Sequence, residues 1–300
     1  MTTVVDAQAH AKVNLLLRVL AREEDGYHGI ESIFCLVDLA DTVRVERRAT
    51  SGVTIDVAGA DCGPPDQNLA VRAASRVLDA TGNTFGVHIT LTKRIPVQGG
   101  LGGGSSDAAA ALIATNLLCG NAVPRHELLQ FAARLGSDIP FFVSGAPLAL
   151  GWGHGERLLS LPPLPSAPGL LIIPPVGVNT AEAYKMVDAA RQNIGRRGAV
   201  AMHLDGLAGW GSVARLGGND FEFALFGRHP ELKLAFEALA GTRPLLCRMS
   251  GSGSTIFGIY RNLRDREDAR MALSPKLGRT IPVETLAMTP PGPQPAVAPV

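Results

Sequence analysis

Charge is what this chain has least of. Only 18% of its 300 residues are Asp, Glu, Lys or Arg, and the formal net charge is +1. There is no basic stretch beyond Glu46-Arg47-Arg48 and Arg196-Arg197, so the electrostatic footprint of a nucleic-acid binder is missing. Cysteine is also scarce. Cys35, Cys62, Cys119 and Cys247 lie far apart and form no C-x-x-C pair, which argues against a zinc site or a disulfide framework and for reduced, mostly buried thiols. No apolar run approaches the roughly 18 residues of a membrane span. Residues 1–8 lack a basic region followed by an apolar one, so no signal peptide is expected. These absences lead to the expectation of a soluble, cytoplasmic protein with no nucleic-acid or membrane partner; a monomer or weak homodimer is expected, although nothing in the sequence fixes the oligomeric state.

Two things are plentiful. Apolar residues make up 46% of the chain, enough for a sizeable core in one large or two modest domains. Glycine is the other, and it clusters. Residues 96–111 read P-V-Q-G-G-L-G-G-G-S-S-D-A-A-A-A, with five glycines between 99 and 104 interrupted only by Leu101. Such a run serves a backbone that adopts positive φ or approaches something closely. Ser105 and Ser106 suit an N-cap, and the alanine-rich stretch 107–118 reads as helix. The preceding T-L-T-K-R-I-P reads as a strand end. Strand, glycine loop and helix N-terminus together make an anion site, because unpaired N–H groups and the positive dipole end point one way. The spacing fits neither G-x-x-x-x-G-K-[ST] nor G-x-G-x-x-G with its ribose carboxylate.

Along the rest of the chain, 11–20 alternates as a strand, with Val13, Leu15, Leu17 and Val19 on one face and Lys12, Asn14, Leu16 and Arg18 on the other. A solvated edge explains that lysine and asparagine as well as a site does. Residues 23–29 form a turn tipped by Tyr27 and His28. Strands follow at 33–37, 41–47 and 53–57. Asp66-Gln67-Asn68 caps a helix reaching about residue 80, and 87–93 is a strand. Pro124 and Gly136 bracket a helix. Asp138 then begins D-I-P-F-F, either as a turn cap or as a functional carboxylate. The prolines of 161–168 mark a domain boundary. Beyond it come a strand at 170–173, a helix capped by Asn179-Thr180, a poorly patterned loop over 195–218, and helices opened by Asn219-Asp220 and Pro230. A strand–turn–strand over 247–260, a charged helix at 263–273 and a last strand at 280–288 complete the pattern. The tail from 289 is proline-rich and expected to be extended or disordered. Strands and helices mix without regular βαβ alternation, which predicts an α+β fold.

The stretches A-K-V-N-L-L-L (11–17), D-G-Y-H (25–28), I-P-V-Q-G-G-L-G-G-G-S-S-D-A-A-A (95–110), L-G-S-D-I-P-F-F (135–142), G-N-D-F-E (218–222) and M-S-G-S-G-S-T-I-F (249–257) resemble, in order and spacing, the GHMP family of small-molecule kinases. The resemblance implies two α+β domains, 1–160 and 161–288, with a tail at 289–300 and the active site in the cleft between the domains. It implies transfer of the ATP γ-phosphoryl to the 2-hydroxyl of a cytidyl diphosphate ester of methylerythritol, on the non-mevalonate route to isoprenoid precursors. By the family pattern, Pro96, Val97, Gln98, Gly99, Gly100, Leu101, Gly102, Gly103, Gly104, Ser105 and Ser106 cradle the triphosphate. Lys93 and Asn68 lie near the adenine. Lys12 and Asp138 are the catalytic pair, and Asn14, Tyr27, His28 and Tyr184 bind substrate. Tyr27 and Tyr184 would sandwich the cytosine and His28 would meet its edge. Ser105 or Ser106 is available to Mg2+. Tyr184 stands where phenylalanine is more frequent, and Gln98 where glycine is common. Two alternatives are a family member acting on homoserine or a mevalonate derivative, and a non-catalytic metabolite sensor. The Tyr27-His28 pair speaks against the first, since those substrates carry no base; the intact lysine, aspartate and glycine loop speak against the second.

Overall fold

The computed structural model describes residues 2–24, 26–191 and 203–296, and it is α+β. It begins with an antiparallel ribbon, β1 (Val4–Arg22) and β2 (His28–Arg48). Then come β3 (Val53–Ala58), α1 (Leu69–Ala80), β4 (Gly86–Thr92), α2 (Gly103–Leu118), α3 (Arg125–Leu135) and α4 (Ile139–Ser144). The hairpin β5 (Leu148–Gly153) and β6 (Arg157–Ser160) ends this half. The second half runs β7 (Pro168–Ile173), α5 (Thr180–Arg191), α6 (Trp210–Val213), α7 (Asp220–Phe226) and α8 (Pro230–Gly241). It finishes with β8 (Leu246–Met249), β9 (Ile256–Ile259), α9 (Leu263–Ala272), β10 (Arg279–Glu284) and β11 (Gln294–Pro295). One sheet is ordered β11-β1-β2-β4-β3, with β5 and β6 added along β2; the other is β10-β7-β9-β8.

Residues 33–37 and 41–47 belong to one strand rather than two. Asp38 is followed by Leu39 and Ala40, which favour no turn, and β2 runs straight through and changes partner along its length. Residues 30–35 pair with β5 and residues 42–48 with β4. The simple two-face reading of β1 also fails. Register breaks flank Lys12 and Asn14, and Leu15 and Leu16 are both buried. Bulges re-aim side chains, and here they leave Lys12 and Asn14 buried as well, not on a solvated edge. The tail is extended where Gln294 and Pro295 pair with Asp6 and Val5. Part of 195–218 lies outside the described residues; from 203 onward it holds a 3-10 turn, Leu204–Leu207, and α6.

The two sheets share a core in which Val13 and Ile33 meet Leu171, Phe257 and Ile281. Leu101 is part of it, at 1% exposed. This explains the single interruption of the glycine run: a side chain pegs the loop into the core, and burying a leucine this way is worth about 2–5 kcal/mol against alanine. Four consecutive buried alanines, 108–111, put small side chains on every side of α2 and let it lie close to α1 and the sheet. Among the described residues no helix is long and apolar enough to cross a membrane.

Candidate functional site

Helix α2 begins at Gly103, with Gly102 at the N-cap in left-handed geometry (φ 71°). Ser105 and Ser106 therefore lie inside the first turn rather than capping it. Two positive-φ glycines, Gly100 and Gly102, bend the chain early enough for the helix to start before the serines. The first intrahelical bond runs from Ser106 N to Gly102 O (2.9 Å). The N–H groups of Gly103, Gly104 and Ser105 are left without a helical carbonyl to bond. A cleft of about 820 Å³ opens onto this turn, lined by residues 96–105 with Asn68 and Lys93. Ser106 is buried and does not line it.

A second loop closes against the first. Ser250 Oγ donates to Gly100 O (2.9 Å) and Thr255 N to Gly99 O (3.3 Å). A Cβ on Gly100 would stand 2.1 Å from Ser250 O, so no side chain fits between the loops. On the other flank, a Cβ on Gly102 would stand 2.8 Å from the Phe142 ring and 3.1 Å from Lys12 Cγ. The glycine loop thus lies directly on the residue that the family pattern makes catalytic.

Lys12 and Asn14 face an adjoining cavity of about 700 Å³, together with Tyr27, His28, Asp138 and Tyr184. The two cavities meet at Gly100, Gly102 and Thr180, which line both. Lys12 Nζ donates to Asn14 Oδ1 (2.6 Å) and sits 3.4 Å from Asp138 Oδ2, over the Phe34 ring. Asp138 occupies the position before α4 but accepts no capping bond. Its carboxylate, 29% exposed, reaches the cavity instead. Lys12 N also donates to Leu101 O (2.9 Å), which ties β1 to the loop.

The aromatic residues have different ring neighbours. Tyr184 stacks on His28 at 5.0 Å and meets Phe221 edge-on; exposed Tyr27 leans on His154 at 5.4 Å. Burial, with Asp138 nearby, pushes the Tyr184 phenol up to about 12, so its ring is neutral. His28 Nε2 is 2.7 Å from Asp188 Oδ1. Sequence reading passed over Asp188, although it lies four residues after Tyr184 and so on the same helix face.

Lys93 lies below the loop and is not a free cleft cation. Its ammonium is held by Asp41 and by Asp107 (2.6 Å). Burial disfavours that charge, but Asp107 and Asp41 outweigh it and raise the Lys93 pKa. Asp107 itself is pushed up to about 7 by burial, against the pull of Lys93. Asp41 also accepts from the Arg94 and Ile95 amides (2.5 and 2.8 Å). The triad therefore fixes the strand end to the start of α2. No local pattern marked Asp41, since its partners lie about 50 residues away. Asn68 caps α1 by accepting from Ala70 N (2.9 Å) and borders the same cleft.

The N-terminal domain of the GHMP kinases matches residues 68–146, and their C-terminal domain matches 205–279. A 4-diphosphocytidyl-2-C-methyl-D-erythritol kinase of Moorella thermoacetica is 38% identical over 295 residues, spanning 95% of this chain and 99% of that protein. One from Solibacter usitatus is 38% identical over 261 residues, 85% of this chain and 81% of its own. A crystal structure of 4-(cytidine 5'-diphospho)-2C-methyl-D-erythritol kinase superposes with a TM-score of 0.77 at 37% identity, covering 93% of this chain and 98% of that one. A homoserine kinase from Cytophaga hutchinsonii shares the fold, with a TM-score of 0.72 at 23% identity over 98% of both chains.

Proposed function

The chain belongs to the GHMP kinases, among the 4-diphosphocytidyl-2-C-methyl-D-erythritol kinases, and on that premise we propose that it moves the γ-phosphoryl group of ATP onto the 2-hydroxyl of 4-diphosphocytidyl-2-C-methyl-D-erythritol. The observation that carries this is the junction at Gly100 and Gly102. There a phosphate-type loop and a cavity lined by Tyr27, His28 and Tyr184 share a wall, with Lys12 and Asp138 beside it. A donor and an acceptor bound in the two cavities would bring their reacting ends to that wall. We place the reaction in the cytoplasm, as a step toward isoprenoid precursors.

Phosphoryl transfer goes through a loose transition state with charge spread over the equatorial oxygens, so positioning and neutralisation dominate. The N–H groups opening α2 and its dipole hold the triphosphate. The loop's register is set by the Leu101 peg and the Ser250 contact. Asn68 and the region around Lys93 border the adenine end of the cleft. Lys12 offsets charge on the group in transit and steadies the acceptor oxygen. Asp138 accepts the hydroxyl proton late in the step, with orientation as its larger contribution. Tyr27 and Tyr184 flank the cytosine. His28, aligned by Asp188, reads the edge of the base. Asn14, expected to bind substrate, has its side-chain atoms taken up by Lys12, Gly251 and Ser32, and it orients Lys12 instead.

A magnesium ion fits the donor set. Mg2+ uses one or two protein oxygens, with water and substrate phosphates completing its shell. Asp107 lines the phosphate cleft, its Oδ1 buried and without a hydrogen-bond partner, and Ser105, which lines the same cleft, offers a hydroxyl. When bound, the ion neutralises β- and γ-phosphate charge.

ATP consumption measured against a panel of the cytidyl diphosphate ester, homoserine and phosphomevalonate tests the proposal. Turnover is expected with the first alone. Preferential turnover of homoserine or phosphomevalonate would overturn it.

A further inference from the structure

We propose that Asn219 is a positioning residue for Lys12, acting through Gly251 and Asn14. Asn219 comes from the G-N-D-F-E stretch, to which the mechanism above gives no role. It is 4% exposed, and its polar atoms are taken up by the chain around it. Oδ1 caps α7 by accepting from Phe221 N (2.9 Å). Nδ2 donates to two carbonyls of the second loop, Met249 O (2.8 Å) and Gly251 O (2.7 Å).

Gly251 is held on its other side by the catalytic strand. Its N–H donates to Asn14 Oδ1 (2.9 Å), the same oxygen that accepts from Lys12 Nζ (2.6 Å). Asn14 Nδ2 donates to Ser32 Oγ (2.7 Å), which fixes the amide the right way round. A continuous set of hydrogen bonds therefore runs from the start of α7, through one glycine, to the ammonium beside Asp138.

Gly251 is the weak point of that set. It sits at φ 57° against the backbone of Gly100, and a glycine imposes no orientation of its own. Its direction comes from its partners, and Asn219 supplies the bond on its carbonyl. Without that bond Gly251 can turn, its N–H leaves Asn14, and Asn14 no longer holds Lys12 in one place. The neighbours of Asn219 support the same contact: Val19 N donates to Asp220 Oδ2 (2.7 Å) and Met249 N to Glu222 Oε1 (2.7 Å). These bonds tie α7 to β1 and to the second loop.

The inference rests on the reading of Lys12 given under the proposed function, and its test separates the two. Asn219→Ser keeps a side-chain acceptor for Phe221 N but is too short to reach both carbonyls. Asn219→Asp keeps the volume and the cap, loses both donors, and replaces the serine variant if that one folds poorly. Because misplacing a catalytic group by about 1 Å can cost on the order of 10²-fold, the loss of that positioning should lower kcat about 10- to 100-fold. KM for ATP should stay within about threefold, with rates normalised to folded protein by a thermal melt. In an Asn14→Ala background the same substitution should add little further loss. Full kcat in the folded fraction, or losses that multiply in the double variant, would reduce Asn219 to a helix cap and overturn the inference. Lys12→Ala, run alongside, addresses the other reading: if it retains turnover, the proposed catalytic role of Lys12 fails, whatever Asn219 does.

Discussion

Gln98 has φ 56°, in the left-handed region that disfavours any residue with a Cβ. The sequence already showed Gln98 where related kinases commonly carry glycine, and its backbone angle supplies the reason. Gln98→Gly removes the strain while giving the unfolded chain more freedom to lose. We expect it to be neutral to slightly stabilising, by less than about 1 kcal/mol. Gln98→Val, whose β-branch tolerates positive φ worst, should cost at least about 1 kcal/mol. Denaturant unfolding of both variants checks this, and equal stability would show that the loop relaxes freely. At this scale, the asparagine caps were legible while the Ser105-Ser106 cap was not, since Gly102 takes that position. Asn68 and Asn219 bond to amides two residues ahead, so a short window of sequence contains the whole interaction. Asp41 and Asp188 were missed because each is defined by a partner far along the chain.

Elements were legible where one period governs them. The α1 stripe and most strands of the second sheet lie where alternation, periodicity and caps put them, although the last strand ends at Glu284 and does not run on to residue 288. β1 and β2 were not, because bulges break the alternation around Lys12 and Asn14, and β2 serves two partners in turn. The two small-residue loops were recognisable singly, but their interlock was not. Gly100 has φ 75° and backs onto Ser250 O with no room for a methyl group. We therefore expect Gly100→Ala to part the loops, weakening ATP binding at least about tenfold and lowering the melting temperature. Binding measured by titration calorimetry gives the answer, and wild-type affinity would mean that the interlock does not shape the phosphate site.

The two halves of the molecule are joined by a core cluster that both sheets share and by polar ties between them. Within the second half, the bond from Met249 N to Glu222 Oε1 gives a handle on pH. Burial pushes the Glu222 carboxyl up to about 7 from an ordinary 4.5, against the Met249 amide and Arg248, which favour the charged form. The folded protein thus holds this proton more tightly than the unfolded chain. Its contribution to stability is complete below about pH 4.5 and is lost as pH rises through about 7. Glu222→Gln keeps an acceptor for Met249 N and does not titrate. Its melting temperature should gain on the wild type steadily from pH 5 to pH 8, and a constant gap would remove Glu222 as the source.

The central claim is that Asp138, set beside Lys12 where the two cavities join, readies the acceptor alcohol. The most direct measurement compares turnover and ATP affinity of Asp138→Ala with the wild type, using the cytidyl diphosphate ester as acceptor. The expected result is a kcat lower by about 10²–10⁴ with ATP still bound. A variant that turns over at close to the wild-type rate would contradict the account.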